Sequence, residues 1–432
     1  MKSKAIIAAI AGTKNIVVKN IIYDKGSDTL TLEAKVPKRE QCRCGICNEK
    51  APYYDKGRGI RKWRANDVGS TKTFIRAEAP RVKCEKHGVV TAAVPWARHK
   101  SRFCKTFEDT IAWLAVHTSK NAISEYMRVK WHTIGPICDR VYKELEAQAP
   151  SRFEGLIRIS IDETSYKKGH KYMTVVTNHD TGKVVWCDIG FGKETLSKFF
   201  ELLTPEQRAS IQCVSADGAR WIADCVKKYC PNAERCIDPF HVVSWATEAL
   251  DGERRKAYSE AQKAAREGSK KKESSERESK ILETKKERAK SIKNTKYALL
   301  KNPDNLSKSQ QEQISFLAKT SPILHRAYLL KENLRLLLKA GPDEIESMLD
   351  KWMSWAQRCR IPSFRDLRKK IKRHRDAIIA ASKYHLSNAR AEGINNKIKH
   401  IQHKAYGFRN MDNLVSMVML SCSDITPILP GR

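Results

Sequence analysis

The sequence predicts a multidomain chain of mixed α+β and α/β type. A metal-binding, β-rich amino-terminal domain precedes a pair of helices and an α/β core, and an all-α insertion interrupts that core. Three observations carry this reading. Residues 1–100 are strand-like between turn residues and hold the one cysteine cluster, strands and helices alternate over 155–240, and helical periodicity fills 307–380. At 432 residues the chain exceeds one ordinary core. The expected segments are 1–100, 101–150, 151–249, 250–380 and 381–432.

Charge narrows the partners. Lys and Arg number 82 against 49 Asp and Glu, a net charge of +33. Such a surplus repels itself unless a polyanion is bound. Nucleic acid leads, because neutralising phosphates releases counterions. An anionic membrane surface competes, but no apolar run approaches the roughly 18 residues needed to span a bilayer, so no membrane partner is expected. The start, "MKSKAIIAAIAGTKNIVV", has the lysines and apolar run of a signal peptide. That run is short and leads into "NIVVKNIIYDKGSDTLTLEAKV", two strands around a Gly-Ser-Asp turn, so it reads as part of a folded domain. The 13 cysteines are odd in number and scattered. They fit a reducing, cytoplasmic compartment, with clustered ones held by metal.

The amino-terminal domain is justified by "RCGIC" and "VKCEKHG", which place Cys44, Cys47, Cys84 and His87. Two pairs, each with two residues between ligands, suit a closed tetrahedral Zn²⁺ site of structural type. Cys42 is an extra thiol able to substitute for His87.

The helical pair is "SKNAISEYMRVKWHTIGPICDRVYKEL". Ser119 is the expected N-cap, with Ala122, Ile123 and Tyr126 facing inward and "RVKW" as the turn. This is helix-turn-helix spacing. The second helix would present His132, Thr133, Arg140 and Lys143 to a major groove of double-stranded DNA.

The core begins at "LIRISIDETSYKKGHKYMTVVTNHDTGKVVWCDIG". Ile157, Ile159 and Ile161 alternate with Arg158, Ser160 and Asp162, and the acidic pair Asp162–Glu163 ends the alternation. "NHDTG" turns the next two strands into a hairpin. "KETLSKFFELL" is an amphipathic helix, "IQCVSADGARW" a strand ending in Asp217, "ADCVKKYC" a helix and "AERCID" a strand. Three antiparallel strands followed by alternating helix and strand is the ribonuclease H-like order. It sets Asp162 beside Asp217, while Glu163 is expected on the opposite face. Two close carboxylates call for a cation between them, and Mg²⁺ or Mn²⁺ suits oxygen ligands and phosphate chemistry. Glu392, in "LSNARAEGINNKIKHIQHKAYGFRNMDNL", is the third candidate. Asn388, Arg390, Asn395, Asn396 and Lys399 flank it as phosphate-contacting groups.

In "DPFH", Asp238 is a good N-cap and Pro239 a good first helical residue, and His241 in that first turn is a candidate phosphate contact. Residues 250–296 are rich in Lys and Glu and read as a solvated helix, a helical hairpin arm or a partly disordered stretch. Trp352 and Trp355, at i, i+3 spacing, read as core.

The blocks "IDETSYKKGHKYMTVV", "VSADGARW", "DPFHVV" and "SNARAEGINNKIKHIQHKAYGFRN" resemble, in order and over nearly the whole chain, insertion-sequence transposases of the DDE type, closest to the ISL-three family. The resemblance implies a zinc-binding amino-terminal domain, a helix-turn-helix and a catalytic domain whose acidic triad falls on Asp162, Asp217 and Glu392. His87 stands where the family usually has Cys. The resemblance also implies an all-α insertion before the Glu block. The partners it implies are the terminal inverted repeats and target DNA, bound in the bacterial nucleoid by a dimer or higher oligomer. The implied chemistry is metal-dependent cleavage and strand transfer. A zinc-dependent DNA-binding regulator using residues 1–150, and a nuclease of the same fold that never joins ends, are the alternatives.

Overall fold

A computed structural model describes residues 6–9, 11–13, 15–167, 169–270, 276–384 and 389–431. By internal contacts it divides into two units: residues 1–152, 183–189 and 395–432, and residues 153–182 and 190–394.

In the first unit, alternation builds two small sheets. Strands β1 (Val17–Asp24) and β2 (Thr29–Lys35) form the antiparallel hairpin expected around the Gly-Ser-Asp turn. With β3 (Tyr53–Asp55), β4 (Ile60–Arg64), β5 (Lys72–Glu78), β6 (Arg81–Cys84) and β7 (Gly88–Thr91), the orders are β1-β2-β5-β4 and β3-β6-β7. Leu32, Ile75 and Val82 point into the interior and are fully buried.

Three helices follow: α1 (Lys105–His117), α2 (Lys120–Tyr126) and α3 (Trp131–Gln148). Ser119 caps α2 as expected, its side chain accepting from the N–H of Ala122. The inward face of α2 differs from expectation. Ala122 is exposed and Tyr126 is 75% exposed, whereas Ile123 and Met127 are buried. In so short a helix one i, i+4 pair covers the inner face, and Ile123 with Met127 is that pair.

A buried ion network ties α1 to α3. Glu108, fully buried, accepts from Ser101 Oγ at 2.7 Å, from Arg98 at 3.2 Å and from Arg140 Nε at 3.0 Å. Arg98 also reaches Asp109 at 2.6 Å and pairs with Glu144. Arg140 therefore has a structural duty within the unit.

In the second unit, β8 (Arg158–Lys167) pairs antiparallel with β9 (Lys171–Asn178), Asp162 opposite Val175. The strand does not end at the acidic pair; it runs through it, because β9 supplies partners as far as Lys167. β10 (Lys183–Ile189) groups with the first unit. Helices α4 (Lys193–Glu201) and α5 (Pro205–Ser210) lead to β11 (Cys213–Ala216). Helix α6 (Arg220–Tyr229) then leads to β12 (Glu234–Ile237). β11 lies parallel between β8 and β12. The first and fourth strands of the sequence reading are thus neighbours.

Among the described residues the insertion is built of helices: α7 (Pro239–Lys270), α8 (Glu276–Asn294), α9 (Lys296–Leu300), α10 (Lys308–Thr320), α11 (Pro322–Leu337), α12 (Pro342–Arg358), α13 (Pro362–Arg373) and α14 (Arg375–Lys383). The Lys/Glu-rich stretch is a hairpin of α7 against α8, seamed by Ala261, Ala265, Leu282, Ala289 and Ile292. Trp352 is core, 1% exposed, its indole N–H donating to Leu330 O at 2.9 Å, and Trp355 packs against the same cluster. Helices α15 (Ala389–Lys404) and α16 (Met411–Cys422) complete the chain.

Removing Glu108 leaves the Arg98 and Arg140 guanidiniums without their shared acceptor. Glu108→Leu should lower unfolding free energy by roughly 3–5 kcal/mol, the usual cost of breaking a buried pair. Denaturant unfolding of the full chain checks this, and a change below about 0.5 kcal/mol, the scale of a neutral surface substitution, would contradict it.

Candidate functional site

Two turns build the first site. The N–H of Ile46 donates to Cys44 Sγ at 3.4 Å, and Asn48 turns the chain with φ +61°. Gly45 is required there, since a Cβ would stand 2.4 Å from Thr91 O. The second turn joins β6 to β7, with Gly88 at φ +65°. Together they bring Cys44, Cys47, Cys84 and His87 within 4.8 Å of one another. Cys42 is exposed and outside this group.

The spacings fit a tetrahedral ion. Zn–S bonds of about 2.3 Å and Zn–N bonds of about 2.0–2.1 Å imply S···S edges near 3.8 Å and S···N edges near 3.6 Å. The structure has Cys47 Sγ to Cys84 Sγ at 3.8 Å, Cys44 Sγ to His87 Nδ1 at 3.7 Å and Cys84 Sγ to His87 Nδ1 at 3.6 Å. Burial pushes the Cys44 thiol up, but the N–H groups of Cys47 and Ile46 outweigh it and hold the thiol below its usual value. Cys84 is lowered in the same way: burial raises it, and bonds from His87 and Lys86 prevail. Both shifts favour the thiolate that a metal needs.

On the helical pair, His132 and Lys143 are exposed and Thr133 is half-buried. Lys143 pairs with Asp139 at 2.8 Å, one turn earlier, and Arg140 is held by Glu108.

The acids lie on neighbouring strands, Asp162 within β8 and Asp217 just past the end of β11. Parallel pairing matches Ser160 with Ser215. Two residues further along each chain stand Asp162 and Asp217, both half-buried. Asp162 Oδ1 accepts from the N–H of Glu163 at 2.8 Å, and Asp217 Oδ1 from the N–H of Ala219 at 2.9 Å. Arg235 braces this end of β11 by donating to the carbonyls of Asp217 at 2.7 Å and Ala219 at 3.1 Å. Glu163 is half-buried, not a solvated neighbour. Burial raises its carboxyl, the charges of Asp217 and Asp162 raise it further, and only the N–H of Gly192 opposes. Sequence reasoning missed both the burial of Glu163 and the brace from Arg235, because neither has a local pattern.

Glu392 is exposed in the first turn of α15. Among the described residues, Asp162, Asp217 and Glu392 do not gather their oxygens within ligand distance as the Cys/His quartet does. Lys399 and Asn396 are exposed and Asn395 half-buried on the same helix. Asn388 lies outside the described residues, as does the side chain of Arg390. Asp238 caps α7 by accepting from the N–H of Phe240 at 2.9 Å, and His241 Nε2 stands 3.8 Å from the Asp238 carboxylate.

Known proteins share this layout. A family model described as transposase matches residues 159–418, more than half of the chain. The helix-turn-helix domain of transposase family ISL3 matches 92–142, and the zinc-finger of transposase IS204/IS1001/IS1096/IS1165 matches 40–87. The chain belongs to the ISL3 transposase family. It is 45% identical to the transposase for insertion sequence element IS1557 in two strains of Mycobacterium tuberculosis, covering 100% of this chain and 98% of those proteins. It is 25% identical to the transposase for insertion sequence element IS1001 of Bordetella parapertussis, over 88% of this chain and 87% of that one. As an ISL3 transposase it is an enzyme acting on DNA, with a zinc-binding segment and a DNA-binding helix-turn-helix. Among the described residues, no helix is long and apolar enough to cross a membrane.

Metal analysis of the purified transposase should find about one zinc per chain. Cys44→Ser with Cys47→Ser should lose it and unfold the amino-terminal segment, because structural zinc binding is folding free energy. Unchanged zinc in the double variant would refute the site.

Proposed function

We propose that this transposase binds the terminal inverted repeats of its element. It then cuts and joins DNA by a two-cation mechanism, using Asp162, Asp217 and Glu392. The observation that carries this is the parallel register of β8 and β11, which matches Ser160 with Ser215 and so sets Asp162 beside the end of β11, where Asp217 follows. Neighbouring strands lie about 4.8 Å apart. Two like charges at that spacing repel by roughly 3–4 kcal/mol at an effective dielectric near 20. Burial raises the carboxyl of Glu163, and the charges of Asp217 and Asp162 raise it further, as expected where acids crowd together. A hard divalent cation fits this oxygen donor set.

Bound Mg²⁺ or Mn²⁺ would supply activation of the attacking oxygen and stabilisation of the leaving one. The chain itself holds and orients. Asp162 and Asp217 are fixed by the sheet and by the N–H groups of Glu163 and Ala219. Glu392 completes the set from α15, on a helix whose exposed Lys399 suits DNA phosphate. His241 and Arg390 are further proposed phosphate contacts. Thr133 and Lys143 are proposed to contact DNA from α3, while Arg140 acts there chiefly through Glu108. A dimer or higher oligomer on DNA would hold both element ends.

Asp162→Asn, Asp217→Asn and Glu392→Gln should each lower cleavage of a labelled element end in Mg²⁺ by roughly a thousandfold or more, and a double variant should be scarcely worse than a single one. Glu163→Gln should retain the cleavage that Asp162→Asn loses. A folded Asp217→Asn or Glu392→Gln with near-full cleavage would show that the triad is misassigned. An equally dead Glu163→Gln would move the essential acid to the next position on β8.

A further inference from the structure

We propose that Lys370, on insertion helix α13, contacts a backbone phosphate of the DNA strand that lies against Asp217. This inference rests on the reading of Asp217 as a catalytic acid.

The geometry starts at Gly218. A Cβ there would stand 2.7 Å from the Trp245 indole, so a side chain at 218 would push the ring away from the end of β11. The Lys370 Nζ sits 3.8 Å from the centroid of that same ring. His374, buried, tilts against the indole with ring centroids 5.6 Å apart and lies 3.7 Å from the same Cβ position. Gly218, Trp245, Lys370 and His374 thus form one wall beside Asp217.

The wall is basic beyond Lys370. Burial lowers the His374 imidazole, and the charges of Arg235, Arg373, Lys370 and Arg220 lower it further, so four cations face this residue. Arg235 holds the carbonyls of Asp217 and Ala219, yet its Nε is buried without a partner. Burial likewise lowers the Lys370 ammonium, while the carboxylates of Glu248 and Asp217 hold it up.

Lys370 lies on the ring face and hydrogen-bonds to no protein acceptor among the described residues. An ammonium has three donors, and a ring face satisfies none of them as an oxygen would. A core lysine would be expected to take a carbonyl, as Lys331 does with Leu299 O at 2.9 Å. Lys370 instead presents its donors beside an acid that handles phosphodiesters. A phosphate oxygen is the acceptor that matches its charge, its donors and its place.

The test pairs protein and DNA changes. Full-length Lys370→Met keeps the apolar stem on Trp245, and Lys370→Arg keeps the charge. Each is assayed on element-end duplexes carrying one neutral methylphosphonate in turn at each phosphate around the cut. Wild type should lose roughly ten- to a hundredfold at one position, the range for a hydrogen bond to a charged group. Lys370→Met should show the same loss on unmodified DNA and no further loss at that position, with Lys370→Arg restoring most of the rate. Additive losses at every position, or full activity of Lys370→Met, would overturn the contact. Asp217→Asn run in parallel tests the underlying reading separately. If it cleaves, the acid assignment falls, while the non-additive phosphate pattern still stands for Lys370.

Discussion

Two carboxylates on adjacent parallel strands, Asp162 within β8 and Asp217 just past the end of β11, are the constraint around which the second unit is arranged. β11 is short and buried throughout, and it ends one residue before Asp217. β8 continues past Ser160, its last residue paired with β11, with β9 alone beside it, and Asp162 is the second residue of that stretch. Backbone pairing therefore fixes the acids, and repulsion between them is held against the sheet. Under the proposed two-cation chemistry, a cation held between the two carboxylates would relieve that repulsion.

The first unit solves a different problem. Its strands are short and its sheets have three and four members, which is little core for so basic a segment. The Cys/His quartet joins the turn after Cys44 to the β6–β7 hairpin, and the Glu108 network joins α1 to α3. One is a metal crosslink and the other a charge crosslink, and each ties together elements that are distant in sequence.

Legibility in the sequence followed locality. The zinc ligands were legible because each pair is closed by a turn two residues wide. The sheet order was legible because alternation and helical periodicity take turns between Leu156 and Ile237. The inner face of α2 was not, since apolar character alone nominated Ala122 and Tyr126, and packing chose Ile123 and Met127. The role of Arg140 was not legible either: its partner Glu108 lies a helix away in sequence, and a pattern search sees only an arginine on a candidate recognition helix. Glu392 rested on the resemblance of its block, and its helix leaves it exposed.

The most direct test is anomalous scattering from crystals of the transposase soaked with Mn²⁺ and bound to an element-end duplex. Manganese peaks are expected within bonding distance of both Asp162 and Asp217, with Glu392 as a further ligand. Manganese bound elsewhere, or Asp162 and Asp217 each contacting DNA or protein with no ion between them, would contradict it.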